Sequence, residues 1–357
     1  MTESFPPISR NEVINILRVG LQSVSPYNSQ PWEVQFNDGK LLIFGRHNER
    51  GFWKHKDTIY CTLGAFLENL SEGAKHWHYL MNFTMLHNPD ANLTKPFCEV
   101  TFTKTSDQAD YPIDDVMTRY TNRKAYHARA VPAHILDDIR RIFESTTSKI
   151  IDMTGNKSFI GSCAKIEKVR IINQQLRDEI CTNLSYDLKE VQERRRGLDI
   201  RTLELPLVAR LHMYLNRNPF YRGTFGKSFL PQFFMELNTN KQLMGTPLLI
   251  AFQELVLTNP DNLVRDWMNI QKILNLLNKI GLSSHLVSSP VDLTKMKSYK
   301  WTSQEANILT RAEASIRKEM NVEISSILTL LRVGYADPCQ VKSLRKDPEE
   351  LFWDQRS

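Results

Sequence analysis

A globular chain mixing helices with strands is what this sequence predicts, and three observations predict it. Ser9 and Glu12 form a capping pair ahead of an apolar helix period. Apolar and polar residues alternate on both sides of the turn Asn37-Asp38-Gly39. Apolar residues make up 41% of the chain and charged residues 24%, a balance that supports a packed core.

The elements follow in order. Val13, Ile14, Leu17 and Leu21 give the first helix one apolar face, and Pro26 stops it. After the connection SPYNSQPW, Trp32, Val34 and Phe36 alternate as a strand and Leu41 to Phe44 return as its hairpin partner. Residues 45–60 read as a loop, and a helix over about 61–77 carries Leu63, Phe66, Leu67 and Leu70. Phe97 to Thr103 reads as a strand, and the polar stretch 104–113 as an internal boundary. Pro132 opens a helix with Ile135, Ile139 and Phe143 inward. One long helical stretch is expected from Lys157 to Arg196, then irregular aromatic-rich chain over 197–240. A buried strand over 247–252, helices over 261–280 and 303–318, an apolar run ILTLLRVGYADP and a charged tail complete the chain. The helix–connection–apolar pattern of residues 11–36 recurs weakly over 133–155, as after an internal duplication.

Composition excludes several classes. The net charge of +6 is too diffuse to make nucleic acid the expected partner. The five cysteines form no CxxC pair, so no zinc ribbon is expected, and a reduced cytoplasmic compartment fits them. No apolar run reaches the roughly 18 residues of a membrane span, so no membrane partner is expected. GxGxxG, Walker and GxSxG patterns are absent. His76-Trp77-His78 diverges on its helix and reads as packed or surface histidines, with no metal expected. The arginines 194–196 read as a solvated helix end.

Two signals remain. In the SPYNSQPW connection, Asn28 and Gln30 present donors and acceptors on planar amides, and Pro26 and Pro31 stiffen the backbone. The same residues also suit a tight loop that caps the first helix, with Trp32 in the core. In RYTNR, Arg119 and Arg123 can converge on a phosphate, or form a solvated basic turn. Arg332, the one charge within an apolar run, is a third candidate anion contact. A ligand with a planar polar ring and a phosphate answers both signals, and flavin mononucleotide (FMN) is such a ligand.

At these residues the sequence resembles the FMN-dependent nitroreductase superfamily, in its Acg-like branch of two-halved single chains. The family's PSxxNSQPW is nearly intact as SPYNSQPW, and RYTNRKAY followed by Val-Pro and a helix is similar to its arginine motif. GTPLLIAF, NKIGLSS and LLRVGYADP extend the resemblance over about residues 11–338. It implies an α+β fold, a mixed sheet flanked by helices, with fused halves over 1–110 and 111–357 sharing one core. In the family the two motifs come from different subunits of a homodimer. Here they lie in different halves of one chain, which implies one composite site and a monomer, a further homodimer remaining open. By resemblance, Arg119, Arg123 and Arg332 hold the phosphate with help from Thr121. Asn28, Gln30 and Pro31 line the ring with Ser25 at its edge. Leu282, Ser283 and Ser284 approach its reactive side, and Asn69 is a further contact. Tyr27 replaces a small family residue and narrows the pocket, and 197–235 is placed to act as a lid.

The expected function is NAD(P)H-driven, FMN-dependent reduction of an electron-poor small molecule, with no catalytic residue assignable. The alternative is an FMN store with little turnover.

Overall fold

A computed structural model describes residues 8–45, 56–86, 95–144, 146, 148–254, 260–296 and 299–353. The predicted 45–60 loop falls mostly outside these. The chain runs α1 (Arg10–Gly20), β1 (Trp32–Asn37), β2 (Lys40–Gly45), α2 (Lys56–His76), β3 (Tyr79–Met85), β4 (Cys98–Lys104) and α3 (Ile113–Thr118). It goes on with α4 (Ala133–Phe143), β5 (Lys149–Asp152), α5 (Lys157–Ile172), α6 (Gln174–Asn183), β6 (Leu184–Ser185), α7 (Leu188–Arg194) and β7 (Leu198–Asp199). It continues through α8 (Leu207–Leu215), α9 (Pro219–Gly223), α10 (Phe229–Met244), β8 (Leu248–Gln253) and α11 (Pro260–Lys279). It closes with β9 (Ser283–Val287), α12 (Ser289–Lys295), α13 (Ser303–Met320) and β10 (Ile327–Gly334).

The class is α+β. The strands lie in two antiparallel four-stranded sheets, ordered β1-β2-β4-β3 and β5-β8-β10-β9. Among the described residues, parallel pairing, expected within a mixed sheet, is confined to β6 with β7 and to a bridge between Val34 and Phe352. Strand by strand, the two sheets have the same order. β8 and β10 are buried along nearly their whole length and mostly apolar, because both faces of the second sheet are covered. Leu248, Ile250 and Phe252 enter one core, while Leu249 and Ala251 enter another beneath α5 and α13. The first core draws residues from Ile8 to Leu351 and so joins strands and helices from along the whole described chain.

Several local expectations are met and several are corrected. The Ser9–Glu12 capping box is formed, and Trp32 is buried and stacked on Phe66 at 4.3 Å. The long helix expected over 157–196 is three helices. Asn173 ends α5 and caps α6 by accepting from the Leu176 amide, and Asp187 caps α7 in the same way. The 197–240 stretch, expected to be irregular, folds as α8, α9 and α10. Its aromatic residues are spaced for helices, but their exposure hides the period. The closing charged tail is packed: Trp353 donates to the Val34 carbonyl at 2.9 Å and Leu351 is buried.

Helices α2 and α11 pack against each other, and Gly64 permits their approach. A Cβ at Gly64 would lie 2.2 Å from the Val264 carbonyl oxygen. Gly64→Ala is therefore expected to lower unfolding free energy by about 3 kcal/mol, read from urea melts. The same interface buries Glu68 beside Glu72, and burial together with that neighbour pushes the Glu68 carboxyl up to about 8. Between its ordinary value of 4.5 and 8, the folded chain keeps a proton that the unfolded chain has released. Stability from this group is thus present below that window and declines as pH rises through it. Glu68→Gln should flatten the decline, with a melting temperature above the parent's at alkaline pH and equal to it near pH 5.

Candidate functional site

The SPYNSQPW connection leaves α1 through a single 3-10 turn, Pro26–Asn28. Tyr27, Asn28 and Gln30 all have left-handed backbones, with φ of 50°, 52° and 45°. Each such residue other than glycine costs about 1 kcal/mol or more, so the surrounding contacts must hold the loop. They do so mainly through its amides. Asn28 donates to the Leu344 carbonyl at 2.8 Å and accepts from the Arg345 guanidinium. Gln30 donates to the Arg195 carbonyl at 2.8 Å and accepts the Lys346 N–H at 2.9 Å. Lys346 Nζ reaches the Gln30 carbonyl at 3.0 Å, and Ser25 Oγ accepts the Gln30 N–H at 3.3 Å. Pro31 is buried behind them. Tyr27 hydrogen-bonds Arg170 of α5, and burial raises its hydroxyl to about 12.

The arginine segment begins where α3 stops. Arg119 is buried and donates to the Gln22 carbonyl at the end of α1, at 2.7 Å, while its Nε has no partner. Burial, and then the Arg345 charge, lowers Arg119 to about 9. Arg345 is lowered by burial to about 10, and its Nε is likewise unpartnered. Arg123 donates to the Thr202 carbonyl at 3.1 Å and is lowered by burial. Arg332 is fully buried, yet all its partners are neutral. It donates to Thr246 Oγ1 at 3.0 Å, His285 Nδ1 at 3.1 Å and the Lys124 carbonyl at 3.2 Å, and lies over the Tyr126 ring. Burial and then the charges of Arg123 and Arg332 hold His285 well below its ordinary value. It is therefore neutral, with its proton on Nε2 while Nδ1 accepts from Arg332.

The two sequence signals thus meet through Arg345, which touches Asn28 and lies beside Arg119. Ser283 and Ser284 join them: Asn122 donates its backbone N–H to the Ser284 carbonyl at 2.9 Å and its side chain to Ser283 Oγ at 3.1 Å. Leu282 is buried just before them. The Thr121 carbonyl faces Cys339. Asn69 lies at the α2–α11 interface, accepting from Asn275 at 3.0 Å and donating to the Val19 carbonyl. From the 197–235 stretch, Gly197 donates to the Asn28 carbonyl and the Thr202 carbonyl accepts from Arg123. The Arg195 carbonyl reaches Gln30, so this arginine run does more than end a helix.

Sequence reasoning passed over Arg345, Lys346 and His285, and left Asn122 as a bystander between two arginines. Arg345 and Lys346 sit in what reads as a solvated tail, with no pattern to single them out. His285 had a signal available: it falls directly opposite Arg332 once β9 and β10 are paired.

Among the described residues, Arg119, Arg123, Arg332 and Arg345 make no ion pair. Glu204 acts on Arg123 only through space. Arg119 and Arg332 are buried and Arg123 and Arg345 half-buried. Guanidiniums so placed without a paired carboxylate are costly, and their chemistry fits the phosphate of a ligand such as FMN. The ring side fits only in part. Asn28 and Gln30 have the right chemistry, but their amides face segment 344–346. The cavity between Asn28, Arg195, Gly197 and Leu344 measures about 10 Å³, room for roughly one water.

No family model matches the chain, and no curated protein matches it. Among solved structures it is similar to the FMN- and NADPH-dependent nitroreductase NfnB of Sphigopyxis sp. strain HMH. Identity is 14% over 68% of this chain and 97% of that one, at a TM-score of 0.39. It is also similar to the FMN-dependent nitroreductase NfnB of Mycobacterium smegmatis, solved with NADPH. There identity is 14% over 68% of this chain and 96% of that one, at a TM-score of 0.36. At such values the reading of the site rests on its own residues.

Proposed function

We propose that this chain is an FMN-dependent oxidoreductase of nitroreductase type that takes electrons from NAD(P)H and delivers them to an electron-poor small molecule. One observation carries the proposal: Arg119, buried, and Arg345, half-buried, lie side by side against the strained loop that carries Asn28 and Gln30, with no ion pair among the described residues. Arg332, buried, and Arg123, half-buried, form a second pair of cations about His285. The flavin would supply the hydride chemistry when bound. The protein's part is to bind, orient and exclude water. Arg119, Arg123, Arg332 and Arg345 hold the phosphate with Thr121, and Asn28, Gln30 and Pro31 hold the ring edge, with Ser25 beside them. His285 remains an uncharged donor through Nε2, while Ser283 and Ser284 line the approach and Asn69 steadies the helix behind.

In this reading the chain is an Acg-like pseudo-dimer. The matching strand orders support an internal duplication with halves over 1–110 and 111–357, and a single composite site suits a cytoplasmic monomer. Segment 344–346 gives the ring its access by yielding. Its Leu344 carbonyl and Lys346 N–H now satisfy Asn28 and Gln30 much as the ring's own carbonyl and N–H would.

That same filled ring side favours a second reading, an FMN-holding protein with little turnover. Absorbance spectra with added FMN, before and after anaerobic NADPH or NADH, separate the two. Rapid bleaching supports the reductase, a bound flavin that stays oxidised supports the store, and no uptake rejects both. Arg123→Ala should release FMN far more readily than Arg129→Ala, because Arg129 is an exposed residue stacked on Tyr335. Equal retention in an ultrafiltration assay would remove the phosphate assignment.

A further inference from the structure

Between β7 and β8 the chain leaves much apolar surface in water. Helix α8 has no buried residue; Leu207, Val208 and Leu211 are exposed, the first at 79%. On α10, Phe229, Phe233 and Leu237 recur at i, i+4 and i+8 on one outward arc. Further along the same helix, Thr239 and Leu243 are buried. Local contacts tie neighbouring pieces together: His212 of α8 contacts Tyr221 of α9 at 3.2 Å, Tyr221 meets Phe225, and within α10 Phe229 stacks on Phe233. Patches of this extent mark a contact with something apolar.

Charge identifies what it contacts. Between residues 205 and 244 the chain carries Arg210, Arg217, Arg222, Lys227 and Lys241 against a single acid, Glu236. Glu236 is taken up by Lys168 at 3.4 Å, and Arg222 by Asp178. Arg217, Lys227 and Lys241 stand exposed among the apolar side chains. A two-fold contact between copies would set these cations against their own images, with no exposed carboxylate in the segment to answer them. An anionic bilayer answers both features, headgroups taking the cations and the acyl boundary taking the apolar arc.

We propose that α8, α9 and α10 form a peripheral docking face that lies flat on a bilayer containing anionic lipid. No described helix is long and apolar enough to cross a membrane, and docking in the interface needs none. The expectation of no membrane partner rested on spanning runs, and docking in the interface lies outside what it weighed. This inference stands apart from the cofactor.

Co-flotation of the full chain with vesicles of phosphatidylcholine, with and without phosphatidylserine, tests it. Phosphatidylserine should raise the bound fraction roughly tenfold at low salt, and high salt should remove the gain. Phe229→Ser with Phe233→Ser should abolish flotation while leaving the melting temperature unchanged, both rings being exposed. Arg217→Glu with Lys227→Glu should remove the preference for phosphatidylserine. No flotation of the parent, or undiminished flotation of the phenylalanine variant, overturns the proposal. So does a concentration-dependent dimer in sedimentation velocity that the phenylalanine variant abolishes, which would give the face to a second copy.

Discussion

Arg119→Met should make the cofactor-free chain more stable and its affinity for FMN far lower. The two effects have one cause. Arg119 is buried next to Arg345, and its single hydrogen bond goes to the Gln22 carbonyl. Its guanidinium nevertheless stays charged at neutral pH. Without an anion, that charge is a net cost, and an apolar side chain of similar length removes it. A gain of about 2 kcal/mol in urea melts is expected, reduced somewhat by the lost bond to Gln22. In the proposed site the same cation would pair with the FMN phosphate, so its removal should weaken binding by about 3 kcal/mol, roughly a hundredfold. Opposite signs in the two assays identify a cation kept for a ligand. A destabilised variant that binds FMN as the parent does would make Arg119 structural.

Lys346→Pro should hasten FMN uptake. The Lys346 N–H is the donor that satisfies Gln30 Oε1, and its ammonium holds the Gln30 carbonyl. Proline removes both and loosens the segment that stands on the ring side. If the open form becomes tenfold more populated, association should quicken by roughly that factor. Lys346→Ala keeps the N–H and should fall between parent and proline variant. Hydrogen exchange over 340–350 should rise in the proline variant and, in the parent, on adding FMN. Unchanged rates, with exchange that FMN does not alter, would mean that the ring binds without displacing the segment. Absence of FMN binding in every variant would remove the flavin reading itself.

Much of the fold was legible because its signals are local. Ser9 with Glu12, the Asn37-Asp38-Gly39 turn and the Ile135–Ile139–Phe143 stripe each specify an element within a few residues. The break at Asn173 was not legible, since an asparagine in a helical pattern reads as a tolerated polar residue until its capping bond is seen. Strand β3 was missed because Tyr79 to Met85 follows α2 with only two residues between them, and its identity depends on pairing with β4. Of the site, the loop and Arg119, Arg123 and Arg332 were legible as residue types. What joins them was not, because Arg345 reaches Asn28 from more than three hundred residues away. No local pattern encodes such a contact.

The polar stretch 105–109, between β4 and α3, is exposed coil for most of its length. A break there would leave the strained loop on one fragment and all four arginines on the other. Gly64 and Val264, which meet at the shared core, would be divided in the same way. Neither fragment could keep its apolar face dry alone, so co-expression should drive them back together. Ligand capture would then report reassociation, making the chain a natural template for a split sensor.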